Sequence, residues 1–289
     1  MNQHITFSVI TITFNAEACL QRTLDSVLMQ SYPYVEHLIV DGASKDNTVA
    51  IAEAYAAKSK HKVVISSEPD RGLYDAMNKG LQRATGDYII YMNAGDCFPQ
   101  SDTLSHVAKA ATVTEVSTSD SNSQPLSAGP DSAQPNSAFG IRQSAIPAVL
   151  YGDTNWTDND GNYIGKRNHS APAKLSWRSF KHGMLVCHQA FYARLDIARK
   201  FPYDLQYRHS ADIDWCIRVM KEAEAQSLPL VNVNEVVANY QREGQTTANH
   251  KASLKERYRI MSKYYGTPTT ILMHIWFVIR GIIRKIAKS

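Results

Sequence analysis

The chain lacks most of what marks a small secreted domain, a membrane channel or a coat for nucleic acid. Its four cysteines in 289 residues, Cys19, Cys97, Cys187 and Cys216, lie far apart, and no pair has the spacing of a zinc knuckle or a redox motif. In a chain this long they are expected as reduced thiols, which favours a cytosolic setting. No apolar run follows a basic start, so no secretory leader is expected. Glycine and proline are at ordinary levels, with 44% apolar and 20% charged residues, which excludes collagen-like and wholly disordered chains. What remains is a globular chain, long enough to bury a substantial core in one large domain or two small ones.

The net charge of +4 hides an asymmetry. From His250 to Ser289 there are nine Lys/Arg and one acid, Glu256, whereas the preceding residues hold 22 basic and 26 acidic side chains. A mildly acidic body argues against nucleic acid as a partner, because such proteins carry their basic surface on the fold itself. The basic end suggests contact with an anionic surface.

The first third alternates strand and helix patterns. Phe7 to Phe14 is β-branched and aromatic and predicts a buried strand. Asn15 stands where an N-cap belongs, ahead of a helix carrying Leu20, Leu24, Val27 and Leu28, and Pro33 marks its end. Strands follow at His37–Val40, Lys62–Ser66 and Tyr88–Met92, with helices near Asn47–Ala57 and through Leu73, Met77, Leu81 and Ala84. Such alternation predicts an α/β fold, a Rossmann-like, mostly parallel sheet flanked by helices on both faces. Ligands of such sheets bind beyond the carboxyl ends of the strands. The polar clusters Asp41–Asp46, Glu68–Gly72 and Asn93–Asp96 fall there.

Two segments stand apart. Residues 112–147 are expected to be a disordered insertion: Thr114 to Ser137 holds seven Ser, three Pro and no aromatic, Lys or Arg. Strand-like sequence resumes at Ala148–Tyr151, so the insertion lies within one domain of residues 1–249. Residues 250–289 form a basic tail. In it Ile271, Ile275, Val278, Ile279, Ile282, Ile283 and Ile286 share a helical face, with Trp276 near its edge and Arg280, Arg284 and Lys288 opposite. The uncharged stretch from Thr269 to Ile279 is too short for a span, which needs about 20 residues. A C-terminal amphipathic helix of this kind suits the membrane surface through 268–289, and a terminal helix docked on protein is the competing reading.

Among residues able to carry chemistry, Asp96 directly follows a buried strand and is a hard oxygen ligand suited to Mg²⁺ or Mn²⁺, although Asn93–Asp96 also reads as a turn. Asp41 and Asp46 combine turn chemistry with the potential to accept hydrogen bonds from a ribose or base edge. In Asp70-Arg71-Gly72, Arg71 is placed to face a phosphate.

Val9-Ile-Thr-Ile-Thr-Phe-Asn15, Val40-Asp-Gly-Ala-Ser-Lys-Asp-Asn-Thr48, Glu68 to Gly80 and Asn93-Ala-Gly-Asp96 occur in this order. In these motifs the chain resembles the family 2 glycosyltransferases, inverting enzymes of the GT-A fold, and in particular non-processive members that build bacterial exopolysaccharide or O-antigen units. The resemblance is strong over about residues 6–100 and thinner over 148–245. It implies a nucleotide-sugar donor, a UDP-sugar by prior. Asp41 would contact base and ribose, Thr13 to Asn15 would line the base pocket, Asp70 and Arg71 would border the nucleotide, and Asn78 would buttress the site. Asp96 matches the last carboxylate of the family's Asp-x-Asp metal signature, with Asn93 and Gly95 standing where many relatives have aspartates. In Ser210-Ala-Asp-Ile-Asp-Trp215, Asp212 would be the general base, with Asp214 the alternative. His188 would meet acceptor or diphosphate, and Arg242 would sit on a loop over the diphosphate. As structure alone, these are a helix start, a core histidine and an exposed arginine.

The resemblance implies transfer of one sugar to a lipid-linked saccharide acceptor in surface-polysaccharide synthesis. The enzyme would sit in the cytoplasm, peripheral on the inner face of the membrane. The alternatives are a sugar nucleotidyltransferase, against which stands the lack of a Gly-rich loop ending in Arg and Lys, and a non-catalytic nucleotide-sugar-binding scaffold.

Overall fold

The structure, a computed structural model, describes residues 4–112, 146–242 and 250–286. The expected insertion, apart from its edges, and the loop that follows Arg242 lie outside these residues. Strands β1 (Phe7–Thr13), β2 (Val35–Asp41), β3 (Lys62–Ser67) and β4 (Tyr88–Tyr91) alternate with helices α1 (Leu20–Leu28), α2 (Thr48–Ala56) and α3 (Leu73–Arg83). Then come α4 (Thr103–Thr112), β5 (Val149–Thr157), β6 (Tyr163–Lys166), β7 (Phe191–Arg194), α5 (Leu195–Ala198), α6 (Ala211–Ala225) and β8 (Leu230–Gln241). Helices α7 (His250–Tyr265) and α8 (Thr267–Ile286) follow.

The described strands form one sheet in the order β3-β2-β1-β4-β7-β5-β6, with β8 also paired to β5. From β3 to β4 every pairing is parallel. β7 then runs antiparallel to both β4 and β5, while β8 is parallel to β5. Strands β1, β2 and β4 are buried along their length, which is why they read as continuous runs and not as alternation. Most polar exceptions are satisfied: Glu36 accepts from Ser8, Thr85 and Lys62, and His37 sits between Thr11 and Tyr55, while Thr13 Oγ1 at the end of β1 has no partner. Helix α3 lies so close to β1 that a Cβ on Gly80 would meet Ile10 Cγ2 at 2.4 Å.

Asn15 is not the N-cap of α1. Its φ is +47°, and the helix begins only at Leu20. Its side-chain oxygen accepts from the Lys45 N–H at 2.8 Å, so local turn chemistry binds β1 to the β2–α2 loop instead.

A stack of aromatic rings joins the two halves. Tyr74 of α3 lies on Tyr203 with centroids 5.2 Å apart, and Tyr203 lies on Trp215 of α6 at 5.0 Å. Tyr91 and Phe191 meet Trp215 edge-on, so β4, β7 and α6 share one core.

The two helices beyond 249 behave differently. Helix α7 is packed on the fold: Glu256 accepts the N–H groups of Arg208 and His209 at 2.9 and 2.8 Å, and Ser253 meets Ser210. Helix α8 touches α7 through His274 and Tyr258 but exposes Ile271, Leu272, Ile275, Trp276, Val278, Ile279, Ile282 and Ile283. Among the described residues no helix is long and apolar enough to cross a membrane.

Asp214 fastens α7 to α6. It is fully buried and accepts from Arg218 at 2.6 Å, Tyr264 at 2.8 Å and Lys263 at 3.0 Å. Burial pushes its carboxyl up, but these three partners outweigh it and hold the group below its ordinary value. A carboxyl depressed in the fold stabilises above its unfolded pKa and loses that contribution as pH falls through the folded value. Asp214→Ala is therefore expected to cost about 2 kcal/mol at pH 7. The gap to wild type should shrink below about pH 4, and urea unfolding at pH 7 and pH 3 checks both.

Candidate active site

The carboxyl ends of β1 to β4 carry the first part of the site. Asp41 ends β2 opposite Thr13 of β1, and the Gly42 N–H donates to the Thr13 carbonyl at 2.9 Å. The Asp41 carboxylate accepts from the Ser44 N–H at 2.9 Å, from Ser67 Oγ at 2.6 Å and from Ser44 Oγ. With about four lone-pair positions on a carboxylate, one position remains for a ligand. Ser44 Oγ also accepts from the Asn15 N–H, so Thr13, Asn15 and Asp41 form one connected turn. Asp70 crosses to this turn from beyond β3. A Cβ on Gly42 would meet Asp70 Oδ2 at 2.5 Å and Phe14 at 3.2 Å, so a bare glycine is what lets the three come together. Phe14 is 61% exposed beside them, an apolar ring presented to solvent at a polar strand end.

Arg71 and Asn78 are already engaged. Arg71 pairs with Asp75 at 2.8 Å while its side chain stays 77% exposed, so it stands at the rim. Asn78 donates to the Tyr203 carbonyl at 3.0 Å and accepts its N–H at 2.7 Å. It thereby holds the Tyr203 ring in the aromatic stack under the site. Asp46 accepts from Thr48 and from the Glu17 N–H, which is helix-entry chemistry for α2.

Asp96 lies beyond β4 and is nearly buried. One oxygen accepts from Gln189 Nε2 at 2.9 Å and the other from the Gln241 N–H at 3.1 Å. Burial lifts its carboxyl to about 6 against these bonds and the more distant charges of His188 and Arg22. Each oxygen keeps a lone pair, and the site lacks enough positive charge to hold the carboxylate at its ordinary value. A hard oxygen donor in that condition fits a divalent cation. Gly95 accounts for one departure from the Asp-x-Asp pattern. Its φ is +100°, and a Cβ there would meet Gln241 Oε1 at 2.1 Å. Gln241 is in turn held by Arg22 Nη2 at 3.2 Å, and Arg22 also donates to the Gly95 carbonyl at 3.1 Å.

Asp212 and His188 join this cluster from the second half. Asp212 is in the first turn of α6 and accepts from the Ile213 N–H at 3.0 Å and from Tyr74 Oη at 3.3 Å. His188 Nδ1 is 3.5 Å from Asp212 Oδ2, and its Nε2 is 3.1 Å from Asn93 Nδ2. Burial pushes the Asp212 carboxyl up, but the bond and charge of His188, with Arg257 and the Ile213 N–H, outweigh it and keep it below the ordinary value. Asp214, the alternative base, is spent on the α6–α7 junction. Arg242 leaves the end of β8 with its guanidinium over the Trp156 ring at 5.0 Å.

The structure therefore joins Asp96, His188 and Asp212 on one side, and Thr13, Asn15, Asp41 and Asp70 on the other. In sequence Phe14 enters only within the Thr13 to Asn15 lining, and Arg22, Gln189 and Gln241 are not singled out. Gln189 directly follows His188 in the chain, whereas Arg22 and Gln241 look like any surface polar residue of a helix and a strand end.

The sequence pattern described as Glycosyl transferase family 2 matches residues 8–168. A PGL/p-HBAD biosynthesis glycosyltransferase of Mycobacterium bovis is 31% identical over 239 residues, covering 82% of this chain and 77% of the relative. The crystal structure of S. aureus TarS 1–349 superposes with a TM-score of 0.63 at 14% identity, covering 94% of this chain and 72% of that one. Glucosyl-3-phosphoglycerate synthase from Mycobacterium tuberculosis, solved with Mn²⁺, uridine diphosphate and glucosyl-3-phosphoglycerate, gives 0.54 at 13% identity, covering 89% and 79%. The fold is the GT-A arrangement, and by the extent of the pattern match and of the mycobacterial relative the chain belongs to glycosyl transferase family 2, whose activity is glycosyl transfer.

Proposed function

We propose that this glycosyltransferase moves one sugar from a nucleotide-sugar, a UDP-sugar in the first instance, to a lipid-linked saccharide with inversion at the anomeric carbon. The observation that carries this reading is the pair of carboxyls whose surroundings push them in opposite directions. Asp96 is raised to about 6 by burial, and Asp212 is held low by His188 against its burial. Environments that separate two acids in this way assign them different tasks.

In this reading Asp41, Asp70 and the exposed Phe14 ring receive the nucleoside, Asp41 offering its remaining lone pair to a hydroxyl or base N–H. Asp212, ionised near neutral pH, takes the proton from the acceptor hydroxyl as that oxygen attacks the anomeric carbon. The bond to the nucleoside diphosphate breaks in the same displacement, which inverts the configuration. Asp96 would hold Mg²⁺ or Mn²⁺, which supplies Lewis-acid neutralisation of the diphosphate's charge when bound. The synthase solved with Mn²⁺ and uridine diphosphate supports both the metal and the nucleotide. Arg242 extends from β8 on the diphosphate side.

The acceptor class draws support from α8 and from the relative named for PGL/p-HBAD biosynthesis. Eight exposed apolar side chains on α8, with Arg280 on the same helix and the basic charge of residues 250–289, suit an anionic membrane surface on the cytoplasmic side.

Asp96→Asn is expected to abolish the Mn²⁺-dependent part of UDP binding in calorimetric titration, and unchanged binding would remove Asp96 from the metal site. Asp212→Asn should keep UDP binding while lowering turnover of the preferred UDP-sugar by about 10²–10⁴-fold. Replacing Ile275 and Ile282 together by Glu is expected to stop flotation with anionic liposomes without changing the unfolding midpoint. Flotation that persists would detach α8 from the membrane reading.

A further inference from the structure

His188 reaches two different partners through its two ring nitrogens. Nε2 lies 3.1 Å from the amide nitrogen of Asn93, and Nδ1 lies 3.5 Å from Asp212 Oδ2. The side chains of His188 and Asp212 are only 11% and 17% exposed, so water does not substitute freely for either contact. With the Asn93 amide turned so that its NH₂ faces the ring and its Oδ1 is buried without a partner, that NH₂ can only donate, and Nε2 is then the bare, accepting nitrogen. A ring with Nε2 bare carries its proton on Nδ1, the nitrogen that faces the Asp212 carboxylate. An aspartate at position 93 could only accept, and would draw the ring proton to Nε2 and away from Asp212.

We propose that Asn93 and His188 are positioning residues for Asp212: Asn93 fixes the Nδ1–H tautomer of His188, and that N–H bonds and orients the Asp212 carboxylate. The inference rests on Asp212 being the base. It gives Asn93 a task that its place in the metal signature does not suggest. The other groups that face Asp212 are Tyr74 from α3, the Ile213 N–H of α6 itself and Arg257 from α7. Tyr74 and Ile213 both act on Oδ1, which leaves His188 as the partner of Oδ2.

Two measurements on the full chain without substrate test this. The ring ¹⁵N spectrum of His188 at neutral pH should show the Nδ1–H tautomer, and Asn93→Ala should shift it toward Nε2–H. The Nε2–H form in the wild type, or a spectrum unmoved in Asn93→Ala, would overturn the inference. Carboxyl ¹³C titration should then show the Asp212 midpoint moving up in His188→Ala and His188→Gln but much less in His188→Asn. The asparagine amide stands where Nδ1 stood, and the glutamine amide where Nε2 stood. Equal shifts in Asn and Gln variants would mean that His188 only fills space, which also overturns the inference. Turnover separates this result from the base assignment. An Asp212→Asn protein that still releases UDP from its UDP-sugar would sink Asp212 as base even with the tautomer as expected, whereas the wrong tautomer beside an inactive Asp212→Asn would sink the positioning chain alone.

Discussion

The site depends on one pairing, the antiparallel register of β7 against β4. Tyr88 faces Arg194 and Ile89 faces Ala193, so each step forward along β4 is a step backward along the second half of the chain. Carried past the end of β4, that register sets the turn before β7 beside the residues after Met92. There the single 3₁₀ turn His188–Ala190 leaves the ladder, and it is this turn that brings His188 to Asn93 and Gln189 to Asp96. A parallel strand in this place would have sent the same residues to the opposite edge of the sheet. The aromatic stack of Tyr74, Tyr203 and Trp215 fixes the seam from below, and Asn78 clamps the middle ring of that stack by its backbone.

Across the seam two buried carboxylates face opposite electrostatic conditions. Asp96 is surrounded by neutral amides, which donate hydrogen bonds but bring little charge, so desolvation dominates and its carboxyl rises. Asp212 has the histidine N–H, the amide at the start of α6 and the nearby Arg257, and these overcome a comparable burial. The difference comes from the partners and not from depth. It also separates what each group can do: one carboxylate gains from an incoming cation, and the other is ready to take a proton.

Much of the first half was legible because β1, β2 and β4 are buried on both faces and its helices keep one apolar side. β1 to β4 and the polar turns at their carboxyl ends could be read from short apolar, β-branched runs bounded by turn residues. The second half was not. β7 has four residues, and its partner β4 lies about a hundred positions earlier, so no local pattern announces the pairing. β8 alternates over Val231 to Asn234 but loses the alternation over Glu235 to Ala238, where its register against β5 shifts. Asn15 misled for a physical reason: a short side chain that caps helices also tolerates the left-handed backbone of a turn. Asp212 and Asp214, two positions apart, looked equivalent in sequence. A helix turns about 100° per residue, so positions i and i+2 point to nearly opposite sides, one to the site and one to α7.

The departure from the family's metal signature at Asn93 and Gly95 looks, in sequence, like a loss of ligands. In the structure the two positions answer to separate constraints. Position 95 has the backbone of a glycine and no room for a Cβ beside Gln241, whose N–H is one of the two donors that hold Asp96. Position 93 must donate to His188, which a carboxylate cannot do. An aspartate at 95 would be strained at a φ of +100° and would push aside the Gln241 side chain that Arg22 holds, and an aspartate at 93 would pull the ring proton from the side that faces Asp212. The neutral pair therefore belongs with the rest of the cluster: in the proposed metal site it leaves Asp96 as the single carboxylate, and it is compatible with the hydrogen bonding around Asp96 and Asp212. Mg²⁺ and Mn²⁺ are compatible with that economy, because with a diphosphate and water present they are often held by only one or two protein carboxylates.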